Sequence, residues 1–143
     1  MVAQAAGLTD QDVPMHKGAV LAGTIRAASG VSFLVAPLQA QRVWSQREAD
    51  DPTARVLLRS MGYRDALIGG GLLVAGLSES PNVGRWFLAS AGADTADLVG
   101  ELANQEELKN PRDLVMGMGG AALGVAIGLG GWLAHRAGRR AAR

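Results

Sequence analysis

The side chains best placed to do chemistry are five charged residues inside otherwise apolar stretches: Arg26, Arg64, Asp65, Asp94 and Asp97. A lone charge in apolar surroundings is costly, so these groups are expected to pair or to face a polar ligand. Guanidinium and carboxylate groups form strong, charge-assisted hydrogen bonds. A buried arginine can also hold the polar head of a ligand, and burial makes a carboxylate easier to protonate. The residue types therefore predict one polar site inside an apolar protein.

The spacing of these residues places them on defined helix faces. Four polar residues follow the spacing i, i+4, i+7, i+11 and share one face: Ser90, Asp94, Asp97 and Glu101. Arg26 shares a face with Gly23 and Gly30, and small residues allow a neighbouring helix to approach closely. The pattern therefore turns the charges toward neighbouring helices.

The sequence contains few candidate residues for other kinds of chemistry. The chain has no cysteine, which excludes disulfides, thiolate metal sites and a cysteine nucleophile. Its two histidines, His16 and His135, lie near opposite ends of the sequence, so no histidine-rich metal site is expected. The net charge of +1 does not favour nucleic-acid binding. We assign no catalytic residue, metal or cofactor, and an enzymatic role is less favoured than a binding role.

The elements that must position the charges are four apolar blocks of about 20 residues, the length that crosses a hydrocarbon core of about 30 Å. They cover residues 18–40, 53–77, 83–102 and 112–134. Within the fourth block, residues 114–134 contain no charge and seven glycines. In a soluble four-helix bundle, the alternative, each interior glycine would cost about 1 kcal/mol, whereas membrane helices use small residues for close packing. The sequence therefore predicts an all-α, integral membrane four-helix bundle.

This bundle is expected to cover residues 17–135, between a polar N-terminal segment, 1–16, and a basic C-terminal tail, 136–143. Asp51-Pro52 and Asn110-Pro111 are typical helix starts, and Pro37 predicts a kink or stop. The short polar stretch 78–82 predicts that the helices on either side of it are antiparallel neighbours.

Four spans place both termini on one side of a cell membrane. Six lysines or arginines flank each side, so the positive-inside comparison is a tie. The basic tail has no acid nearby, and it favours cytoplasmic termini.

The depths of the five charged residues can be compared from the helical rise of about 1.5 Å per residue. Counted from the side of the termini, Arg26 lies about 13 Å deep, Asp94 about 16 Å and Asp97 about 21 Å. Arg64 and Asp65 lie about 18–20 Å deep on the same scale. All five are therefore expected in one layer near the midplane. Two interpretations stay open: an ion-pair cluster that fixes helix packing, and a polar site for a ligand or a proton.

A separate glycine motif lies on the fourth block. Gly120, Gly124 and Gly128 form two overlapping GxxxG steps. They are interpreted as a packing face, with a homodimer face as the alternative.

The sequence resembles the small bacterial four-helix membrane proteins grouped near DoxX. The resemblance is carried by Arg26, Gly30 and Pro37 in the first block, by Gly62-Tyr63-Arg64-Asp65 and Gly69 in the second, and by Asp94 and Asp97 in the third. It implies a four-helix bundle in the bacterial inner membrane, associated with a quinone-linked or redox complex. It also implies that Arg64, Asp65, Asp94 and Asp97 are polar residues of the family.

Three functions follow from these observations. The first is an accessory or binding subunit, in which Arg26 and Arg64 hold the polar head of a small, quinone-like molecule. The second is a proton- or ion-coupled carrier, in which Asp94 or Asp97 takes up a proton. The third is a structural subunit of a larger membrane complex. The expected partners are the lipid bilayer, a quinone-like molecule and a membrane protein or second copy of the chain.

Overall fold

A computed structural model of the protein describes residues 16–45, 51–107 and 110–141. This part contains five α-helices, a short 3₁₀ turn over Gln105–Glu107 and no strand, so the predicted all-α class is confirmed. The helices are α1 Lys17–Val35, α2 Pro37–Trp44, α3 Pro52–Leu77, α4 Val83–Ala103 and α5 Pro111–Ala141. Of the polar N-terminal segment 1–16, all but the last residue lies outside the described residues.

The helix starts form where the sequence predicts them. The Asp51 carboxylate accepts a hydrogen bond from the backbone N–H of Ala54 at 2.9 Å, and Pro52 is the first residue of α3. Asn110 accepts a hydrogen bond from the backbone N–H of Arg112 at 2.9 Å, immediately before α5. Side-chain oxygens at these positions satisfy backbone donors of the first turn.

Two predicted boundaries differ from the structure. The block 18–40 is divided at Ala36, whose φ and ψ are −136° and 65°, into α1 and α2. The cause is Pro37, because proline disfavours helical geometry in the residue before it. At the other end, α5 continues to Ala141, so most of the predicted basic tail 136–143 is helical.

The helices pack as two close, antiparallel pairs, and the first is α1 with α3. A Cβ atom added at Gly30 would lie 2.6 Å from the carbonyl oxygen of Gly62. One added at Gly69 would lie 2.8 Å from the carbonyl oxygen of Gly23. These distances leave no room for a side chain, so the two helices touch backbone to backbone.

The second pair is α4 with α5. A Cβ at Gly128 would lie 2.8 Å from the Cβ of Ala91, and one at Gly124 would meet the carboxylate of Asp94. These two glycines therefore pack against α4, whereas Gly120 is exposed. A homodimer through this motif stays a prediction.

The distribution of apolar residues is inverted relative to a water-soluble protein. Four of the eight buried hydrophobic residues are alanines. Large side chains instead face outward, with exposed fractions of 64% for Leu21, 63% for Ile25 and 62% for Leu123. Among the described helices, α1 and α5 are long and apolar enough to cross a membrane, and only 6% of the apolar window of α5 is buried.

Candidate functional site

The five charged residues singled out from the sequence meet in one continuous chain of ion pairs, here called the ion-pair cluster. Arg26 donates from Nη1 to Oδ2 of Asp94 at 2.8 Å and from Nη2 to Oδ1 of Asp65 at 3.0 Å. Arg64 donates from Nε to the same Asp65 oxygen at 3.1 Å. Its Nη1 and Nη2 donate to the two oxygens of Asp97 at 2.8 and 2.6 Å. Charges therefore alternate along the cluster, from Asp94 to Asp97.

Three helices supply the cluster, and it joins the two helix pairs. Arg26 comes from α1, and it reaches both Asp65 of α3 and Asp94 of α4. Nη1 of Arg26 also donates to Oγ of Ser90, one turn before Asp94, at 2.8 Å. Because Gly124 of α5 has no side chain, the Asp94 carboxylate can occupy the space beside it. The cluster is therefore a bridge from α1 and α3 to α4 and α5.

The cluster has an enclosed half and an open half. The side chains of Arg26, Asp65 and Asp94 are 13%, 16% and 11% exposed. Those of Arg64 and Asp97 are 32% and 35% exposed. A ligand arriving from outside therefore meets Arg64 and Asp97 first.

An open surface cavity of about 450 Å³ lies beside the open half. It is lined by Leu57, Leu58, Ser60, Met61, Arg64 and Asp97. By area the walls are mainly apolar, and Ser60, Arg64 and Asp97 supply the polar groups, a combination that suits a small lipophilic molecule with a polar head. Arg26 is not part of this lining, because its three partners enclose it, so the expected ligand contact with Arg26 has no support in this cavity.

Arg64 keeps hydrogen-bonding capacity toward this cavity. A guanidinium group has five N–H donors. One at Nε and one at each Nη are used by Asp65 and Asp97, which leaves one N–H on each Nη. These donors are suited to a carbonyl, phenolate or carboxylate oxygen.

The formal charge of the cluster is −1 when all five groups are ionised, because two arginines face three aspartates. Arg59, on the same helix as Arg64, does not offset this charge: it is exposed and forms no ion pair within the part of the chain that the structure describes.

We expect Gly124→Ala to disturb the enclosed half. The new Cβ would lie 3.1 Å from Oδ1 of Asp94 and 2.5 Å from its Cγ, so the carboxylate must move away from Arg26. Such overpacking costs about 1–3 kcal/mol. Thermal unfolding of the purified chain in detergent measures the loss. Gly130→Ala is the matched control on the same helix, since a Cβ there meets nothing within 4 Å. Equal melting temperatures for the two variants would contradict the packing described for Gly124.

The structure also brings together two residues that sequence distance separates. The rings of His16 and His135 lie 5.8 Å apart, because α1 begins and α5 ends at the same end of the molecule. No group of three potential metal ligands occurs among residues 16–45, 51–107 and 110–141. The contact is therefore one between two histidines, and their separation of more than 100 residues along the chain gives no sign of it.

No protein-family model, no curated protein and no solved structure matches the chain. The resemblance to the DoxX group therefore stays a prediction.

Proposed function

We propose that the chain is a multi-pass membrane protein in which α1, α3, α4 and α5 cross the bilayer. The inverted distribution of side chains supports this, since leucine, isoleucine and valine face outward and glycine, alanine and ion pairs fill the contacts between helices. α3 and α4 together carry eight charged residues, and the four of them that belong to the ion-pair cluster are paired there: Arg64, Asp65, Asp94 and Asp97. Cytoplasmic termini would place the arginine-rich end of α5 on the side that the positive-inside rule favours.

We further propose that this protein binds a small lipophilic molecule with a carbonyl-bearing polar head, of the quinone class. The observation that carries the proposal is the apolar cavity that ends at Arg64 and Asp97. The ring and tail would lie against Leu57, Leu58 and Met61, and a carbonyl oxygen would accept a hydrogen bond from a spare N–H of Arg64. Asp97 holds the guanidinium in a bidentate pair and so fixes its orientation.

A structural role is the second candidate for the enclosed half of the cluster. Both Nη atoms of Arg26 donate to acceptors, and its side chain is only 13% exposed. Enclosed ion pairs of this kind can specify how helices pack. In the carrier alternative, Asp94 would need access to water, and its side chain is 11% exposed.

The binding proposal predicts that Ser60→Trp blocks the cavity. Ser60 is exposed and lines it, so an indole there occupies the ligand volume while the ion pairs stay intact. The full chain in lipid nanodiscs is photolabelled with an azidoquinone, and decylubiquinone serves as competitor. We expect saturable labelling within residues 57–64 that falls at least about ten-fold in Ser60→Trp, a loss of about 1.4 kcal/mol in binding.

Leu67→Trp is the control, because Leu67 is 55% exposed on the same helix and does not line the cavity. It should label like the unmodified chain. Labelling that is not saturable, or that Ser60→Trp leaves unchanged, refutes the quinone site. A proton flux in proteoliposomes that depends on Asp97, without such labelling, would favour the carrier instead.

A further inference from the structure

A second cavity, of about 360 Å³, lies at the opposite end of α4 from the 3₁₀ turn. It is formed by the start of α4 and the end of α5, and it has no part in the proposed quinone site. Its polar lining consists largely of four arginines with one histidine and one tryptophan: Arg85, Arg136, Arg139, Arg140, His135 and Trp132. So many cations around one concave surface need an explanation.

The four arginines are not neutralised within the described ranges 16–45, 51–107 and 110–141, where no carboxylate forms an ion pair with any of them. Arg139 donates only a long hydrogen bond, 3.4 Å, to the carbonyl oxygen of Pro81. The guanidinium of Arg136 lies 5.3 Å from the ring centre of Trp132, in a cation–π contact. The C-terminal partial charge of α5, about half an elementary charge, offsets only a fraction of this positive charge.

The start of α4 adds a further positive feature to the same cavity. Asn82, the N-cap residue, makes no side-chain hydrogen bond to the first turn. Pro81 and Gly84, on either side of the helix start, both line the cavity. The backbone N–H groups of Val83 and Arg85 already donate to the carbonyl oxygens of Ser80 and Asn82, so it is the helix dipole that favours an anion at this position.

His135 supplies a polar atom that lacks a partner. Its Nε2 is buried and makes no hydrogen bond. Gly84 makes room for this ring, since a Cβ there would lie 3.0 Å from the Cδ2 of His135. A buried polar atom without a partner is costly, and this one belongs to a ring that lines the cavity.

We propose that this cavity binds a phosphate group, as a phosphate monoester or diester. The planar, multiply donating guanidinium group matches the oxygens of phosphate, and several arginines around one anion give charge-assisted bonds from different directions. Two sources share this chemistry: the headgroup of a membrane phospholipid and a soluble phosphate ester. The lipid source rests on the proposed membrane location, because basic sites between helix ends bind anionic headgroups.

The test compares Arg136→Gln/Arg139→Gln with a charge-matched control, Arg59→Gln/Arg112→Gln, whose side chains are exposed and do not line this cavity. In the lipid arm, the purified chain is equilibrated with vesicles of phosphatidylcholine and phosphatidylglycerol, and bound lipid is counted by native mass spectrometry. In the soluble arm, titration calorimetry follows the binding of glycerol phosphate to the same chain in detergent. Size-exclusion chromatography confirms that each variant is folded.

Retention of phosphatidylglycerol that falls at least about ten-fold in the cavity variant, but not in the control, identifies the lipid source. Saturable binding of glycerol phosphate with the same dependence identifies the soluble source. The proposal is overturned if the unmodified chain, the cavity variant and the control bind equally, or if both variants lose binding equally. It is also overturned if neither arm shows binding. Because quinone labelling is measured at a different cavity, its failure leaves this result unaffected.

Discussion

Replacing Arg26 by methionine is expected to destabilise the folded chain by about 3–5 kcal/mol, the cost of breaking a buried ion pair by removing one partner. Arg26 is the only side chain that joins Asp65 to Asp94 in the described cluster, and methionine leaves both carboxylates enclosed without it. Thermal and denaturant unfolding of the full chain in detergent measure the loss. We also expect α1 and α3 to separate from α4, detectable as a longer distance between spin labels on α1 and α4.

Three further variants distinguish the effect of losing a charge from the effect of changing the shape of the side chain. Arg26→Met/Asp65→Asn/Asp94→Asn removes the charges together and should recover most of the stability, because neutral amides are cheaper to enclose than carboxylates. Arg26→Lys should recover little, since one ammonium group lacks the fork that reaches Asp65 and Asp94 together. Arg64→Met should cost less than Arg26→Met, because it strands Asp97, which is 35% exposed. A milder effect of Arg26→Met than of Arg64→Met contradicts the division of the cluster into an enclosed and an open half.

Gly69→Ala and Gly70→Ala are expected to have opposite effects, although the two glycines are adjacent in α3. A Cβ at Gly69 would meet the backbone nitrogen of Ala27 and lie 2.9 Å from its Cα atom, so α1 and α3 must move apart. Overpacking of this kind costs about 3 kcal/mol. At Gly70 a Cβ meets nothing within 4 Å, and alanine is a better helix former than glycine by up to about 1 kcal/mol.

The unfolding midpoints of both variants in the same detergent measure these effects. If Gly69→Ala leaves the midpoint unchanged, the close contact described between α1 and α3 is wrong. A second comparison, between Gly30→Ala and Gly18→Ala on α1, tests the same contact from the other helix, since a Cβ at Gly18 also meets nothing.

The cluster was predictable because the height of a residue along a helix, and the helix face on which it lies, both follow from its position in the sequence. The expected depths of Arg26, Asp94 and Asp97, about 13, 16 and 21 Å, fell in one layer, and the spacing from Ser90 to Asp97 placed three of the polar groups on one face. The pairing could not be predicted, because it depends on side-chain reach across the helix contacts. Asp65 could have paired with either arginine, and in the structure a single one of its oxygens accepts from both.

The division between α1 and α2 and the phosphate cavity were harder to foresee. Pro37 indicated a break, but composition alone extended the block past it to residue 40. The cavity unites Arg85 with Arg136 and Arg139, which are about 50 residues away along the sequence and become neighbours through the antiparallel packing of α4 with α5. From the sequence alone these residues are recognisable only as charges that flank the predicted helices.

The long sequence separation within the cluster has a consequence for biosynthesis. Arg26 is made 39 residues before Asp65 and 68 residues before Asp94. At about 5–20 residues per second, the ribosome supplies the second of these acids only after an interval on the order of 3–14 seconds. Until Asp65 is made, on the order of 2–8 seconds after Arg26, the guanidinium of Arg26 has neither of these acids. In the proposed membrane location, α1 would then require a provisional environment, such as the insertion machinery or a snorkelled position of Arg26. Arg26 of α1 therefore has both of its acidic partners only once α4 has been made.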